Sequence, residues 1–291
     1  MSDTPEVAWH ADTDLGEGPV WLAQEQALWF VDILRQRILR FDPATGSGRH
    51  WEAPARVGFV APCATGGFIA GLKTGLHHFD PATGGFELLA RVEAPELDNR
   101  LNDATVDAAG RLWFGSMHDG EAVNSGALYR LGADGTPLRM DEGYCITNGP
   151  ALSPDGLTLY HTDTLQRLVY AFDVAADGTL SHRRVLIRIA EEDGYPDGTT
   201  IDAQGDLWVA LWGGWGVQQY SPQGVAGQRL RLPCAHITKV AFGGADLRTM
   251  YITTAQKNLT VEQQAAQPLA GALFAARVDT PGLAAHAVRI L

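Results

Sequence analysis

The sequence predicts an all-β chain: a six-bladed β-propeller with four antiparallel strands per blade, built as a single domain over residues 1–291. Three observations carry this expectation. Short aromatic runs recur about every 40 to 50 residues, a period that marks a repeat architecture. Most are followed about a dozen residues later by a second apolar run that ends in a glycine turn. Only Thr260 to Gln267 holds a helical period.

The aromatic runs are Leu28-Trp29-Phe30, Gly67-Phe68-Ile69, Leu112-Trp113-Phe114, Leu159-Tyr160-His161, Leu207-Trp208-Val209 and Met250-Tyr251-Ile252, six in all. The second runs are ILRFDPATG to Gly46, LHHFDPATG to Gly84, LYRLGADG to Gly135, VYAFDVAADG to Gly178 and VQQYSPQG to Gly224. The sixth, ALFAARV, ends at Val278 after a longer insertion. Each unit opens with a run such as GPVW, ATVD, PALS, TTID or KVAF, joined to its aromatic run by a tight turn such as Asp107-Ala108-Ala109-Gly110 or Ser153-Pro154-Asp155-Gly156. Alternating apolar runs around Asp-Gly turns are antiparallel hairpins. Repeating them radially hides the sheet edges. The early strand near Val7 to His10 is the expected partner of the last blade, closing the ring.

Composition bounds the function. Glycine (33) and proline (15) serve many turns, while 45% apolar residues supply a large core, so disorder and collagen are excluded. Lys plus Arg is 22 and Asp plus Glu is 34, a net charge of −12 that repels phosphate backbones, so nucleic acid is not an expected partner. The run MSDTPEVAWHADTD lacks the basic-then-apolar order of a secretion signal and no apolar run reaches membrane-span length, so a cytoplasmic protein that does not engage membranes is expected, a monomer by default. Cys63, Cys145 and Cys234 are far apart, without a CxxC pair, and read as buried small hydrophobes.

Counting back from the second-strand aromatics locates a candidate site. In a blade the inner strand lines the tunnel, and its start shares a face with the loop joining strands two and three. Glu17 lies twelve positions before Trp29, Asn102 eleven before Trp113, Asn148 twelve before Tyr160 and Asp197 eleven before Trp208. At that register the other two blades carry Val57 or Gly58, and Lys239 or Val240. Carboxylates forced together near an axis repel by about 4 kcal/mol at 4 Å and an effective dielectric near 20. One divalent ion relieves that repulsion. Glu17, Asn148 and Asp197 offer only hard oxygen, which suits calcium, magnesium, manganese, ferrous iron or oxygen-ligated zinc. Taken singly, Glu17-Gly18, Asn148-Gly149 and Asp197-Gly198 read as turns; their shared register argues for ligands. Asp134-Gly135, Asp155-Gly156 and Asp177-Gly178 stand at other offsets and are expected to be structural turns.

At these residues the sequence resembles the regucalcin-like, senescence-marker-protein/gluconolactonase family of sugar lactonases. The segments are LGEGPVW from Leu15, NRLNDATVDAAGRLWFGSM from Asn99, TNGPALSPDGLTLYHTD from Thr147, PDGTTIDAQGDLWVALWGGWGV from Pro196 and FGGADLRTMYITTA from Phe242. The resemblance implies a six-bladed propeller with a central divalent metal on Glu17, Asn148 and Asp197, and hydrolysis of aldonolactones such as xylonolactone or gluconolactone. It implies that Arg100 and Asn102 contact substrate. The acidic substrate ligand that the family places after its G-[ST]-M run falls on either Asp119 or Glu121, within Met117-His118-Asp119-Gly120-Glu121. His118, on the same loop, is expected to donate to substrate or stand by rather than act as a base.

Asp197 is the candidate general base. No GxSxG elbow is present, which disfavours an acyl-enzyme. Trp212-Gly213-Gly214-Trp215 and Thr162-Asp163-Thr164 follow second strands and overhang the same mouth. Two other functions fit the pattern: a calcium-dependent propeller phosphotriesterase or esterase, and a non-catalytic metal-binding propeller. The metal, the sugar and the ring size are not read from sequence.

Overall fold

A computed structural model describes residues 4–94 and 97–290. Six four-stranded antiparallel sheets form, and five run in simple sequence order. Blade one is β2 (Gly16–Leu22), β3 (Ala27–Asp32), β4 (Arg37–Asp42) and β5 (Ser47–Glu52); blade two is β6 (Val57–Pro62), β7 (Phe68–Leu72), β8 (Gly75–Asp80) and β9 (Gly85–Ala90). Blade three is β10 (Asn99–Val106), β11 (Leu112–His118), β12 (Gly126–Leu131) and β13 (Pro137–Tyr144). Blade four is β14 (Thr147–Leu152), β15 (Thr158–Asp163), β16 (Leu168–Val174) and β17 (Leu180–Arg188). Blade five is β18 (Tyr195–Ile201), β19 (Leu207–Trp212), β20 (Gly216–Tyr220) and β21 (Ala226–Arg231).

Blade six takes β22 (Ile237–Gly243), β23 (Thr249–Thr254) and β24 (Leu273–Arg277) from the end of the chain and borrows β1 (Glu6–Trp9) as its outer strand. The β1–β24 pairing, Glu6 opposite Ala275 and Trp9 opposite Leu273, closes the ring as expected. The segment after β24 crosses the far face: Asp202 bridges Gly282, Cys63 bridges Val288, and Arg289 N donates to Gly110 O at 2.9 Å. The predicted helical window is α1 (Val261–Ala266), started by a capping box between Thr260 and Gln263.

One motif explains why the hairpins form where they do. In VDAAGRLW, Asp107 Oδ1 accepts from the turn amides of Ala109 and Arg111 (both 2.9 Å), while Oδ2 accepts from Trp113 Nε1 at 3.0 Å. IDAQGDLW repeats it, with Asp202 holding Gln204 N, Asp206 N and Trp208 Nε1. One carboxylate thus fixes the turn and satisfies the indole of a fully buried tryptophan. Asp134, Asp155 and Asp177 each accept from the amide two residues on, so those Asp-Gly pairs are structural turns. Between blades the aromatics interlock, Trp29 with Phe68 at 4.5 Å and Trp208 with Phe242 at 6.4 Å. The three cysteines are buried and unpaired.

Candidate active site

All six inner strands break register just after they begin, at Glu17/Val20, Val57/Phe59, Leu101/Ala104, Asn148/Ala151, Pro196/Thr199 and Ile237/Lys239. Bulges of this kind re-aim side chains at functional rims. Glu17, Asn102, Asn148 and Asp197 each stand three positions before the residue paired with the second-strand aromatic: Val20 with Trp29, Thr105 with Trp113, Ala151 with Tyr160 and Thr200 with Trp208. The Glu-Gly, Asn-Gly and Asp-Gly pairs are therefore bulged strand, not hairpin turns.

Blade six departs from the expected count. Tyr251 pairs with Ala241 across a longer hairpin, so the equivalent residue is Thr238, not Lys239 or Val240. Its hydroxyl is engaged by Gly16 O at 2.6 Å and Thr253 Oγ1 at 2.8 Å.

The next position around the ring holds Gly18, Gly58, Asp103, Gly149, Gly198 and Lys239. A Cβ at Gly58 would meet Leu101 O at 2.3 Å, one at Gly149 would meet Thr199 N at 2.5 Å, and one at Gly198 would meet Lys239 Cγ at 2.5 Å. Four glycines thus clear the axis for one buried ion pair, Lys239 Nζ to Asp103 Oδ1. Asp103 Oδ2 accepts from Gly149 N at 2.8 Å. A cavity of about 230 Å³ touches Gly18, Thr199 and Lys239 and is capped by Leu283 to His286, at the opposite end of the inner strands from the mouth.

Above that pair sit the predicted ligands, Glu17, Asn148 and Asp197, all buried. Glu17 and Asp197 interact directly, and burial raises both carboxyls, Glu17 to about 7 and Asp197 well above the usual range. Asp103 adds repulsion to both, while Lys239 offsets part of it at Glu17. Asn148 Nδ2 donates to Thr164 Oγ1 at 3.0 Å, leaving Oδ1 to accept from Asn102 Nδ2 at 2.9 Å. Among the described residues no three His, Cys, Asp or Glu side chains form a metal cage; the candidate set is two carboxylates and an amide. These residues fit a hard divalent ion: two buried carboxyls and an amide oxygen supply hard donors, and Lys239 and Lys257, whose charges act on Glu17 and Asp197, are already bound to Asp103 and Glu121.

A stability experiment isolates this electrostatic load. A carboxyl whose folded pKa is raised favours the native state fully below its unfolded value and loses that contribution as pH climbs through about 7. The buried imidazoles of His161 and His236, lowered by burial to about 3 and about 4, work oppositely and destabilise the fold as pH drops below their unfolded value. The difference between the chain and Glu17→Gln cancels the histidines. In chelator, thermal melts should show the chain losing stability relative to Glu17→Gln between pH 5 and 8; a flat difference would place the Glu17 pKa in the ordinary range.

Arg100 is buried and binds Asn102 Oδ1, with its Nε 3.3 Å from Asp119 Oδ1. The structure thus links Asn148, Asn102, Arg100 and Asp119 in one chain of contacts. Burial would raise the Asp119 carboxyl, but hydrogen bonds from Lys73 and Arg56 and the charge of Arg100 hold it below its ordinary value. Glu121, at a positive φ of 55°, pairs instead with Lys257, which also lies over Trp212 at 5.8 Å. His118 Nδ1 accepts from Ala122 N at 3.2 Å and ties down its own loop. Thr164 supports Asn148, and Asp163 Oδ1 accepts from Gln166 N at 3.4 Å, so that overhang is a hydrogen-bonded turn. Trp212 stacks on His236 at 3.9 Å. Sequence reasoning missed Lys257, Arg56 and Lys73, which arrive from loops outside the inner-strand count.

The SMP-30/Gluconolactonase/LRE-like region family matches residues 15–256. The 6-deoxy-6-sulfogluconolactonase of Pseudomonas putida is 36% identical over 285 residues, covering 98% of each chain. The L-arabinolactonase of Azospirillum brasilense is 35% identical over 282 residues, 94% of this chain and 92% of its own. Among solved structures, a calcium-binding protein, regucalcin, of Agrobacterium tumefaciens strain C58 superposes with a TM-score of 0.93 at 27% identity, covering 98% of this chain and 97% of that one. Matches of this length run through all six blades and the bulged strand starts alike, and on them the chain belongs to the SMP-30/gluconolactonase/LRE-like family.

Proposed function

We propose that this chain is a lactone hydrolase that opens sugar aldonolactones, pentono- or hexonolactones such as xylonolactone or gluconolactone, to aldonic acids with one divalent ion held by Glu17, Asn148 and Asp197. The observation that carries the reading is the pair of interacting buried carboxyls, Glu17 and Asp197, at the same inner-strand register as Asn148 and Asn102, which bond one another and, through Asn102, a buried arginine. Relatives named as lactonases support the reaction class, and a calcium-binding structural neighbour makes calcium the first ion to try. A divalent ion bound there supplies a Lewis acid for the negative charge that grows on the lactone carbonyl oxygen.

The chain's own groups do the rest. Asp197 takes a proton from the attacking water as its oxygen bonds to the carbonyl carbon, a role worth about 10²- to 10⁴-fold. The ring C–O bond then breaks, the proton passes to the departing ring oxygen, and the aldonic acid so formed releases its own proton to solvent to give the aldonate. Arg100 is a guanidinium already fixed by Asn102 and Asp119, so little entropy is lost when it orients the sugar. Asp119, bound directly to Arg100, is the better-placed of the two acidic candidates to act on substrate binding.

Acid release from xylono-, arabinono-, galactono- and gluconolactones tests this, before and after chelation and with each metal restored separately. Expected is loss of more than about nine-tenths of turnover on chelation, with recovery on re-addition of one or more of calcium, zinc, magnesium, manganese or ferrous iron. Full turnover in chelator would overturn the metal assignment. Faster hydrolysis of an aryl phosphotriester than of any lactone would favour a propeller phosphotriesterase.

A further inference from the structure

Blade two places no oxygen donor at the axial register, where it has Val57, yet its mouth carries two cations. Arg56 immediately precedes β6, and Lys73 sits in the β7–β8 turn, held beside it by the bond from Lys73 N to Arg56 O at 2.9 Å. Both converge on Asp119: Arg56 NH1 on Oδ1, and Lys73 Nζ on Oδ2 at 2.7 Å. Arg100 reaches the same carboxylate, so three cations meet one nearly buried anion. Lys73 also binds Asp98 at 2.6 Å, which still leaves the cluster one positive charge in excess in a chain of net −12.

A neutral lactone does not call for that excess; its hydroxyls are read by neutral donors and acceptors as well as by charged ones. The Arg56 and Lys73 ends of these pairs are half-exposed, where an ion pair is worth about 0 to 1 kcal/mol, so stability alone does not call for adding them to the buried Arg100–Asp119 pair. Arg56 and Lys73 keep 38% and 34% of their side chains accessible, whereas Asp119 keeps 8%, so the cations, not the acid, face the solvent side. They also lie at the outer end of the contact chain running from Asn148 through Asn102, Arg100 and Asp119. A sugar whose carbonyl sits at Asp197 and whose ring follows that chain would bring its far end to Arg56 and Lys73.

We infer that the preferred substrate is an aldonolactone bearing an anionic group at the end remote from its carbonyl, and that Arg56 and Lys73 are the residues that read this charge. The inference rests on the lactonase reading above. A carboxylate, a sulfonate and a phosphate share the required chemistry.

The test compares kcat/KM on glucono-1,5-lactone with that on gluconolactones carrying a 6-carboxylate, 6-sulfonate or 6-phosphate, for the chain and for Arg56→Gln, Lys73→Gln and Arg56→Lys. Expected is a preference of at least about tenfold for one charged lactone, shrinking with added salt. Each glutamine variant should cut that preference several-fold, and Arg56→Lys should retain most of it. The arm with the highest ratio identifies the anion. Hydrolysis of the neutral lactone with no gain from any charged group would overturn this inference and leave the lactonase reading standing; no turnover of any lactone would remove both. An unchanged preference in both glutamine variants would take Arg56 and Lys73 out of substrate recognition.

Discussion

Asp197→Asn should lower lactone turnover by at least about 10³-fold while raising the melting temperature of the metal-free chain. The two effects share one cause. Asp197 is buried beside Glu17 with Asp103 close by, and among the described residues no cation forms an ion pair with it. Burial and mutual repulsion favour the protonated form of each carboxyl, and a proton held there must leave before that oxygen can take an ion or another proton. Asparagine keeps the shape and removes the charge, so the fold is relieved while the base disappears. Glu17→Gln should behave alike, losing ion binding with the backbone intact. Activity assays and melts in chelator on the same preparations check both halves. Loss of activity with a falling melting temperature would mean that Asp197 is a structural carboxylate; turnover within tenfold of the parent would remove it from the chemistry.

Lys239→Met should destabilise the chain by about 3 to 5 kcal/mol, the usual cost of orphaning one partner of a buried ion pair. Asp103 would face Glu17 and Asp197 with no positive charge beneath it. The double variant Asp103→Asn with Lys239→Met should recover most of the loss, because both charges then go together. Denaturant unfolding of the two single variants and the double variant gives the coupling. Additive losses would show that Lys239 contributes by packing its stem on Gly198 rather than by charge.

The fold was legible because each blade repeats a local code. The Asp107 and Asp202 turns, each holding an amide pair and an indole, put the hairpin signal and the aromatic signal into one short segment. The axial oxygens were legible for the same reason: the hairpins of blades one, three, four and five are nearly equal in length, so counting back from an aromatic finds the bulge. Blade six failed that count because its hairpin is longer, hiding Thr238 and giving no hint that Lys239 points inward. The Lys239–Asp103 pair joins residues 136 positions apart, and nothing local encodes such a partner. Arg56 and Lys73 likewise meet Asp119 only after blades two and three are placed side by side. Asn148-Gly149 and Asp197-Gly198 read as turns only when taken singly; their shared register pointed to the tunnel wall, where glycine serves close approach.

The outer strand of blade six, β1, leaves the ribosome before any strand of the sheet it completes, while β24 leaves near the finish. Blades one to five can therefore mature during synthesis, but the circle cannot be locked until translation has passed Arg277. Until then β1 waits without its neighbour, so the last blade is the slowest part of the ring to assemble on topological grounds.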